Sequence, residues 1–122
     1  MLAMEISAPE REAILGGAPV RLRFDHNQMR QSELYYQQTT ARRLGYLGIV
    51  EQAIAGTYIG LGAIAYGARA SAQMAEGKGP EPMWRFDRDT GYEELRACMN
   101  TLLDGVTESL PKPQKKTEAA QP

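Results

Sequence analysis

Between Leu44 and Ala70 two rows of residues run at helical steps, and together they restrict what the chain can become. One row, Leu47, Val50, Ile54, Tyr58, Leu61, Ile64 and Ala68, recurs every three or four positions, the period of a single α-helical face. The other, Ala53, Gly56, Gly60, Ala63, Gly67 and Ala70, holds only small side chains. Each interior glycine costs a helix about 0.8–1 kcal/mol relative to alanine, so a segment that keeps several in one row needs a compensating contact. Close approach of another helix, within the chain or between chains, would supply it. The spacing therefore predicts a middle helix with a packing ridge. Ala53, Gly56, Gly60, Ala63 and Gly67, with Tyr58 and Tyr66 on the same stretch, are its candidate helix-packing or partner-binding residues.

The run from Ala53 to Ala68 carries no charge, but a spanning helix needs about 20 mostly apolar residues, and Glu51 and Gln52 lie immediately upstream. A buried helix is the better reading. With 122 residues the chain has room for one domain. Leu, Ile, Val and Phe number only 22, so the core has to be completed by Ala, Tyr and Met. A net charge of −1 offers no surplus of cations for a phosphate backbone, which argues against a nucleic-acid binder. The single cysteine, Cys98, excludes an internal disulfide and a structural zinc site built from several thiolates. Charges at Glu5, Glu10, Arg11 and Glu12 leave no visible secretory signal, and an intracellular, reducing setting is expected.

The fold expected is mostly α, a small α+β domain. It has an N-terminal hairpin region over 1–24, a core of about three helices over 25–110 and a disordered tail over 111–122. Val20, Leu22 and Phe24 alternate with arginines, the period of a half-buried strand, and Gly16-Gly17 suits the turn before it. Its partner is Ala13-Ile14-Leu15 or Met4-Glu5-Ile6. Asp25 with Gln28 has the spacing of a capping box for a first helix, whose polar stretch from Gln28 to Arg43 has only Met29, Leu34, Tyr35 and Tyr36 to bury. Ser71–Asp89, with Gly77, Gly79, Pro80 and Pro82, is expected to be a loop. Met83, Trp84 and Phe86 on it form an apolar group that plugs the edge of a core or, at Trp84, binds a partner. Thr90 and Glu93 form a second capping box for a C-terminal helix that Pro111 ends.

Reactive chemistry finds little support. His26 is the only histidine and stands at a helix start beside Asp25, where a cap or surface role is the default. Cys98 beside Met99 reads as a small apolar filler. Gly60-Leu61-Gly62-Ala63-Ile64-Ala65 matches the dinucleotide pattern formally, yet that motif needs a strand leading into it, and here the helical stripe already runs. Asp87-Arg88-Asp89 reads as a solvated loop, and Glu93 and Glu94 suit a helix N-terminus. No catalytic, metal or cofactor site is expected, and the chain is not read as an enzyme.

The order of features adds a resemblance. Gly16-Gly17-Ala18-Pro19-Val20-Arg21-Leu22-Arg23-Phe24-Asp25, followed by a polar helix with Glu33-Leu34-Tyr35-Tyr36, resembles the opening of phage tail assembly chaperones. Ile64-Ala65-Tyr66-Gly67-Ala68-Arg69 is similar to that family's small-aromatic-glycine stretch, and the likeness covers about residues 16 to 110. It implies a mostly helical, oligomerising, non-enzymatic protein of the bacterial cytoplasm. Such a protein binds the tape measure protein of a siphophage-like tail, keeps it soluble and helps the tail tube protein polymerise around it. It also implies a longer frameshifted form, for which Lys115-Lys116 would permit a slippery codon run. The alternatives are a structural tail or connector subunit retained in the virion, and a small membrane protein inserted through residues 44–70.

Overall fold

The computed structural model describes residues 8–110. Two strands, β1 (Glu10–Leu15) and β2 (Ala18–Arg23), form an antiparallel hairpin, and six helices follow: α1 (His26–Thr40), α2 (Tyr46–Ile54), α3 (Tyr58–Ala75), α4 (Met83–Asp89), α5 (Tyr92–Ala97) and α6 (Met99–Ser109). The mostly helical class with an N-terminal hairpin is as the sequence indicates. The strand partner is Ala13-Ile14-Leu15. The alternative partner at Met4–Ile6, the tail over 111–122 and Lys115-Lys116 lie outside the described residues.

Gly16 and Gly17 take φ of +64° and +82°, which a two-residue hairpin turn requires and β-carbons resist. The turn does not stand alone. Glu94 at the start of α5 accepts hydrogen bonds from both turn amides, each at 2.9 Å, and from its own cap amide Gly91 at 3.4 Å. The inward faces of the strands, through Ala13, Leu15 and Leu22, enter the core.

Helix α3 is the axis of the molecule. Helices α1, α2, α5 and α6 and strand β2 all pack on it, and every residue from Gly60 to Ala68 is buried. This corrects the one-sided stripe read from the sequence, because a helix enclosed on several sides has no solvent face to keep polar. The single middle helix is also corrected. Gly56 adopts φ +80° and closes α2, with its amide bonded to Ala53 O at 2.9 Å and the Thr57 amide to Gln52 O at 3.1 Å. Thr57 then caps α3 through its hydroxyl, which accepts from the Gly60 amide at 3.1 Å. The break rotates α2 relative to α3, so Leu47 and Ile54 of the predicted buried row face solvent while Tyr46, Ile49, Val50 and Ala53 are buried instead.

Two further boundaries differ. Helix α3 runs on to Ala75, and Pro82 starts α4 inside the expected loop, since proline suits a helix start, where no amide donor is needed. The C-terminal helix is two, divided at Cys98 with neither Gly nor Pro marking the place. Thr90 does not cap it. Its amide bonds Phe86 O and so ends α4, Gly91 takes the cap position, and the Thr90 hydroxyl is buried without a partner.

Helix α1 is less superficial than its composition suggests, because Gln28 and Ser32 are fully buried. The Gln28 side-chain Nε2 donates to Ser32 Oγ and to the Tyr46 hydroxyl, both at 3.1 Å, and the Tyr46 hydroxyl faces Gln28 Oε1 at 3.2 Å. Ser32 Oγ donates to Ala63 O at 2.7 Å, so one closed polar network joins α1, α2 and α3. Asp25 caps α1 as expected, accepting from the Gln28 amide at 2.8 Å. The Gln28 side chain, committed to Tyr46 and Ser32, does not complete the box. Asp25 also accepts from Ser71 at 2.7 Å and Arg23 at 2.9 Å, tying β2, α1 and α3 together.

Both anchoring carboxylates resist protonation. Burial works to raise the pKa of Asp25, but Ser71, the Gln28 amide and Arg23 outweigh it and hold it below the ordinary value. For Glu94, burial is outweighed by the amides of Gly16, Gly17 and Gly91. A folded value below the unfolded one means stability that is fully present above the unfolded pKa, about 4, and lost as pH falls through the depressed folded values. Thermal melts between neutral pH and pH 2 should therefore show a steep fall in Tm below about pH 4. Glu94→Gln should lower Tm at neutral pH and flatten part of that fall. An unchanged acid profile in the variant would show that the turn does not depend on the Glu94 charge.

Candidate partner-binding surface

The residues singled out from the sequence divide into an inner and an outer set. Ala53, Gly60, Ala63, Tyr66 and Gly67 are buried, and Gly56 is buried in the turn between α2 and α3. A β-carbon on Gly60 would come within 2.5 Å of the Gln52 and Ala53 backbone, and one on Gly67 within 2.1 Å of Ser32 Oγ and 2.6 Å of Gln28 O. The small-residue ridge thus serves helix packing within the chain: Gly60 admits α2 and Gly67 admits α1.

Tyr66 belongs to an aromatic cluster. Its ring stacks on Tyr35 at 5.2 Å and meets Phe86 edge-on at 5.4 Å, while Tyr35 and Phe86 meet edge-on at 6.0 Å. The Tyr66 hydroxyl donates to Glu81 O at 2.7 Å, and the Tyr35 hydroxyl to Asp87. Burial first, and then the Asp87 carboxylate, push the Tyr35 pKa far up. Arg69 lies 3.1 Å from Glu81 Oε1, a charge contact without hydrogen-bond alignment. These contacts hold the segment before α4 against α3 and fix which way α4 faces.

Helix α4 separates the three bulky residues that the sequence grouped. Phe86 plugs the core, Met83 packs at its margin, and Trp84 is 61% exposed. Arg85 and Arg88 stand over the Trp84 ring at 5.8 and 5.3 Å. Trp and Arg are enriched among the side chains that carry most protein–protein binding energy, Trp for the large apolar area it buries and Arg for its planar, multiply donating cation. A second exposed group surrounds the α2–α3 turn. Tyr58 meets Tyr92 edge-on at 6.0 Å, the Tyr92 hydroxyl donates to Gly56 O at 2.6 Å, and Arg96 lies over the Tyr92 ring at 5.8 Å. On α2, Leu47 and Ile54 are 64% and 59% exposed, two turns apart on one side.

Leu47 and Ile54 were assigned to a buried face by the sequence, because the turn at Gly56 is invisible in a periodicity. The residues set aside as chemistry stay apart. His26 is exposed at the first position of α1, and burial pushes the Cys98 thiol up to about 11, an unreactive protonated state at neutral pH. The Gly60–Ala65 pattern lies wholly inside α3, preceded by a turn and not by a strand. Among the described residues no cluster of His, Cys, Asp and Glu has the makings of a metal site, and no helix is long and apolar enough to cross a membrane. What the outer surface offers is contact area: an aromatic and arginine patch at Trp84, and apolar side chains along α2 and at Tyr58–Tyr92. Comparison with family models, with curated proteins and with solved structures finds no match to this chain.

Proposed function

We propose that this protein is a phage tail assembly chaperone, which binds the tape measure protein, keeps it soluble and promotes polymerisation of the tail tube protein around it. The order of elements supports the reading: the hairpin ending at Arg23-Phe24-Asp25, then α1 with Glu33-Leu34-Tyr35-Tyr36, then α3 with Ile64–Arg69, then a proline-containing segment and terminal helices. The observation that carries it is the exposed Trp84 between Arg85 and Arg88 on a domain that otherwise buries its aromatic cluster. A long amphipathic helix is the partner such a surface suits, with an apolar stripe against Trp84 and acidic residues against the arginines.

Co-expression tests this. The tape measure protein encoded by the same genome should be insoluble alone and soluble with this chain. Trp84→Ala should cut the soluble yield several-fold while leaving the chaperone's own melting temperature nearly unchanged, because surface truncations stay within about 0.5 kcal/mol. Equal insolubility of the tape measure protein with and without the chain would overturn the proposal.

A further inference from the structure

Residues 79–90, which carry α4, are tied to the rest of the chain at few points. Among the described residues no backbone–backbone hydrogen bond leaves the segment, since those of Arg85, Phe86 and Thr90 end on Pro82 or Phe86 within it. The main outward ties are the Phe86 ring, Met83 at the core margin, Asp87 held by the Tyr35 hydroxyl, and three contacts of Glu81. The Glu81 carbonyl accepts from Tyr66, and its amide donates to Gln73 Oε1 at 2.9 Å. Its carboxylate, 8% exposed, lies 3.1 Å from the Arg69 guanidinium without alignment. Among the described residues only two buried side-chain polar atoms have no hydrogen-bond partner, Glu81 Oε1 and Thr90 Oγ1, and they flank α4 on either side. Closure therefore leaves unmet two polar groups that water meets on opening. At the limits of the segment, Gly79 and Gly91, an added β-carbon would find nothing within 4 Å, so packing does not fix the backbone there.

We propose that this segment is a lid over a binding slot on α3, and that the slot takes a small molecule joining an aromatic ring to a carboxylate. The closed lid supplies both groups itself. Phe86 meets Tyr35 and Tyr66 edge-on, two rings already stacked on each other, and Glu81 brings a carboxylate to Arg69. When the lid lifts, these two residues leave together. The floor they uncover offers the Tyr35 and Tyr66 rings, bordered by the Tyr66 hydroxyl, Gln73 and Arg69. Tyr66 and Arg69 stand three residues apart on one side of α3, about 5–6 Å between β-carbons, so a single small aromatic acid spans both. The preference for a carboxylate follows from Arg69, whose one ion pair among the described residues is with Glu81. A guanidinium holds a carboxylate best through parallel hydrogen bonds, an alignment that the tethered Glu81 does not reach and a free ligand can. The slot is independent of the chaperone reading, and its test involves no partner protein.

Hydrogen exchange of the full chain and the fluorescence of Trp84, its single tryptophan, read the lid directly. The amides of residues 83–90 should exchange about 100-fold faster than those of α3, through local opening. Hydrocinnamate, the probe, should speed them several-fold further and shift the Trp84 emission saturably, because it enters the slot only while the lid is open. Toluene, a ring without a charge, should act far more weakly, and Arg69→Gln should reduce hydrocinnamate to the level of toluene. Phe86→Ala removes the internal competitor and should tighten the apparent affinity about tenfold. Should that variant misfold, Thr90→Val, which buries a methyl group in place of the unmet hydroxyl, should slow exchange of 83–90 several-fold and weaken hydrocinnamate binding in proportion. Exchange left unchanged or slowed by hydrocinnamate, equal responses to hydrocinnamate and toluene, or an Arg69→Gln variant that responds as the wild type does would each overturn the proposal.

Discussion

Gly67→Ala is expected to destabilise the fold by about 3 kcal/mol or more, the upper range for overpacking, although alanine is the better helix former by about 1 kcal/mol. The added methyl group would stand 2.1 Å from Ser32 Oγ, 2.6 Å from Gln28 O and 2.9 Å from Ser32 N. Two of those three atoms are helix backbone, which cannot swing aside as a side-chain end can. The clash also falls on the polar network, because Ser32 Oγ carries the bond to Ala63 O and receives the one from Gln28. Separating α1 from α3 would leave buried donors and acceptors unmet on both sides, each costing about 1–3 kcal/mol. Thermal denaturation should record a fall in Tm of about 10 °C or more. Gly48→Ala is the control. Its nearest contacts would be atoms of the half-buried Leu44 side chain, at 2.7 Å and beyond, which can turn aside where backbone cannot, so its melting temperature should fall far less than that of Gly67→Ala. Equal effects at Gly67 and Gly48 would mean that helix propensity, and not backbone approach, governs these positions.

The same residues mark how far the sequence could be read. The glycine row announced close helix approach because glycines inside a helix need a reason, and Gly60 and Gly67 supply that reason in α2 and α1. Gly56 carried an identical signal for a different cause, a left-handed turn, and spacing cannot separate the two. The hairpin was legible through Gly16-Gly17 and the alternation of β2, and the first helix through Asp25. Glu94 was read only as a favourable charge at a helix start. Its grip on the Gly16 and Gly17 amides joins residues nearly eighty positions apart, which no local pattern records. Gln28 and Ser32 were placed at the surface because polar residues usually are. Their burial depends on Tyr46 and Ala63 arriving from other helices. For the candidate surface, Tyr58 and Trp84 were both named from the sequence and both are exposed, but the choice between Trp84 and Phe86 as the exposed ring required the direction of α4.

Tyr35→Ala is expected to cost about 3–5 kcal/mol, the range for deleting a buried aromatic ring, and to lower the melting temperature correspondingly. Tyr35 is among the largest fully buried side chains, and it bridges three elements: it is carried by α1, stacks on Tyr66 of α3 and meets Phe86 of α4. Tyr35→Phe keeps the ring and its packing, loses the hydroxyl bond to Asp87, and should cost only about 1 kcal/mol, since Asp87 is exposed and can turn to water. The ratio of the two effects separates packing from hydrogen bonding at this site. The consequence extends to the outer surface. Helix α4 has seven residues, too few to hold its shape alone, and Phe86 is its only buried anchor. Loss of the Tyr35 ring takes away one of the two aromatic faces against which Phe86 rests, so limited proteolysis should cut the segment between α3 and α4 faster in Tyr35→Ala than in Tyr35→Phe. Trp84→Ala, by contrast, removes an exposed ring from a helix that remains anchored, and should leave both melting temperature and proteolysis near wild type. If Tyr35→Ala melts and cleaves as the wild type does, α4 is held by something other than the aromatic cluster, and the orientation of Trp84 with it.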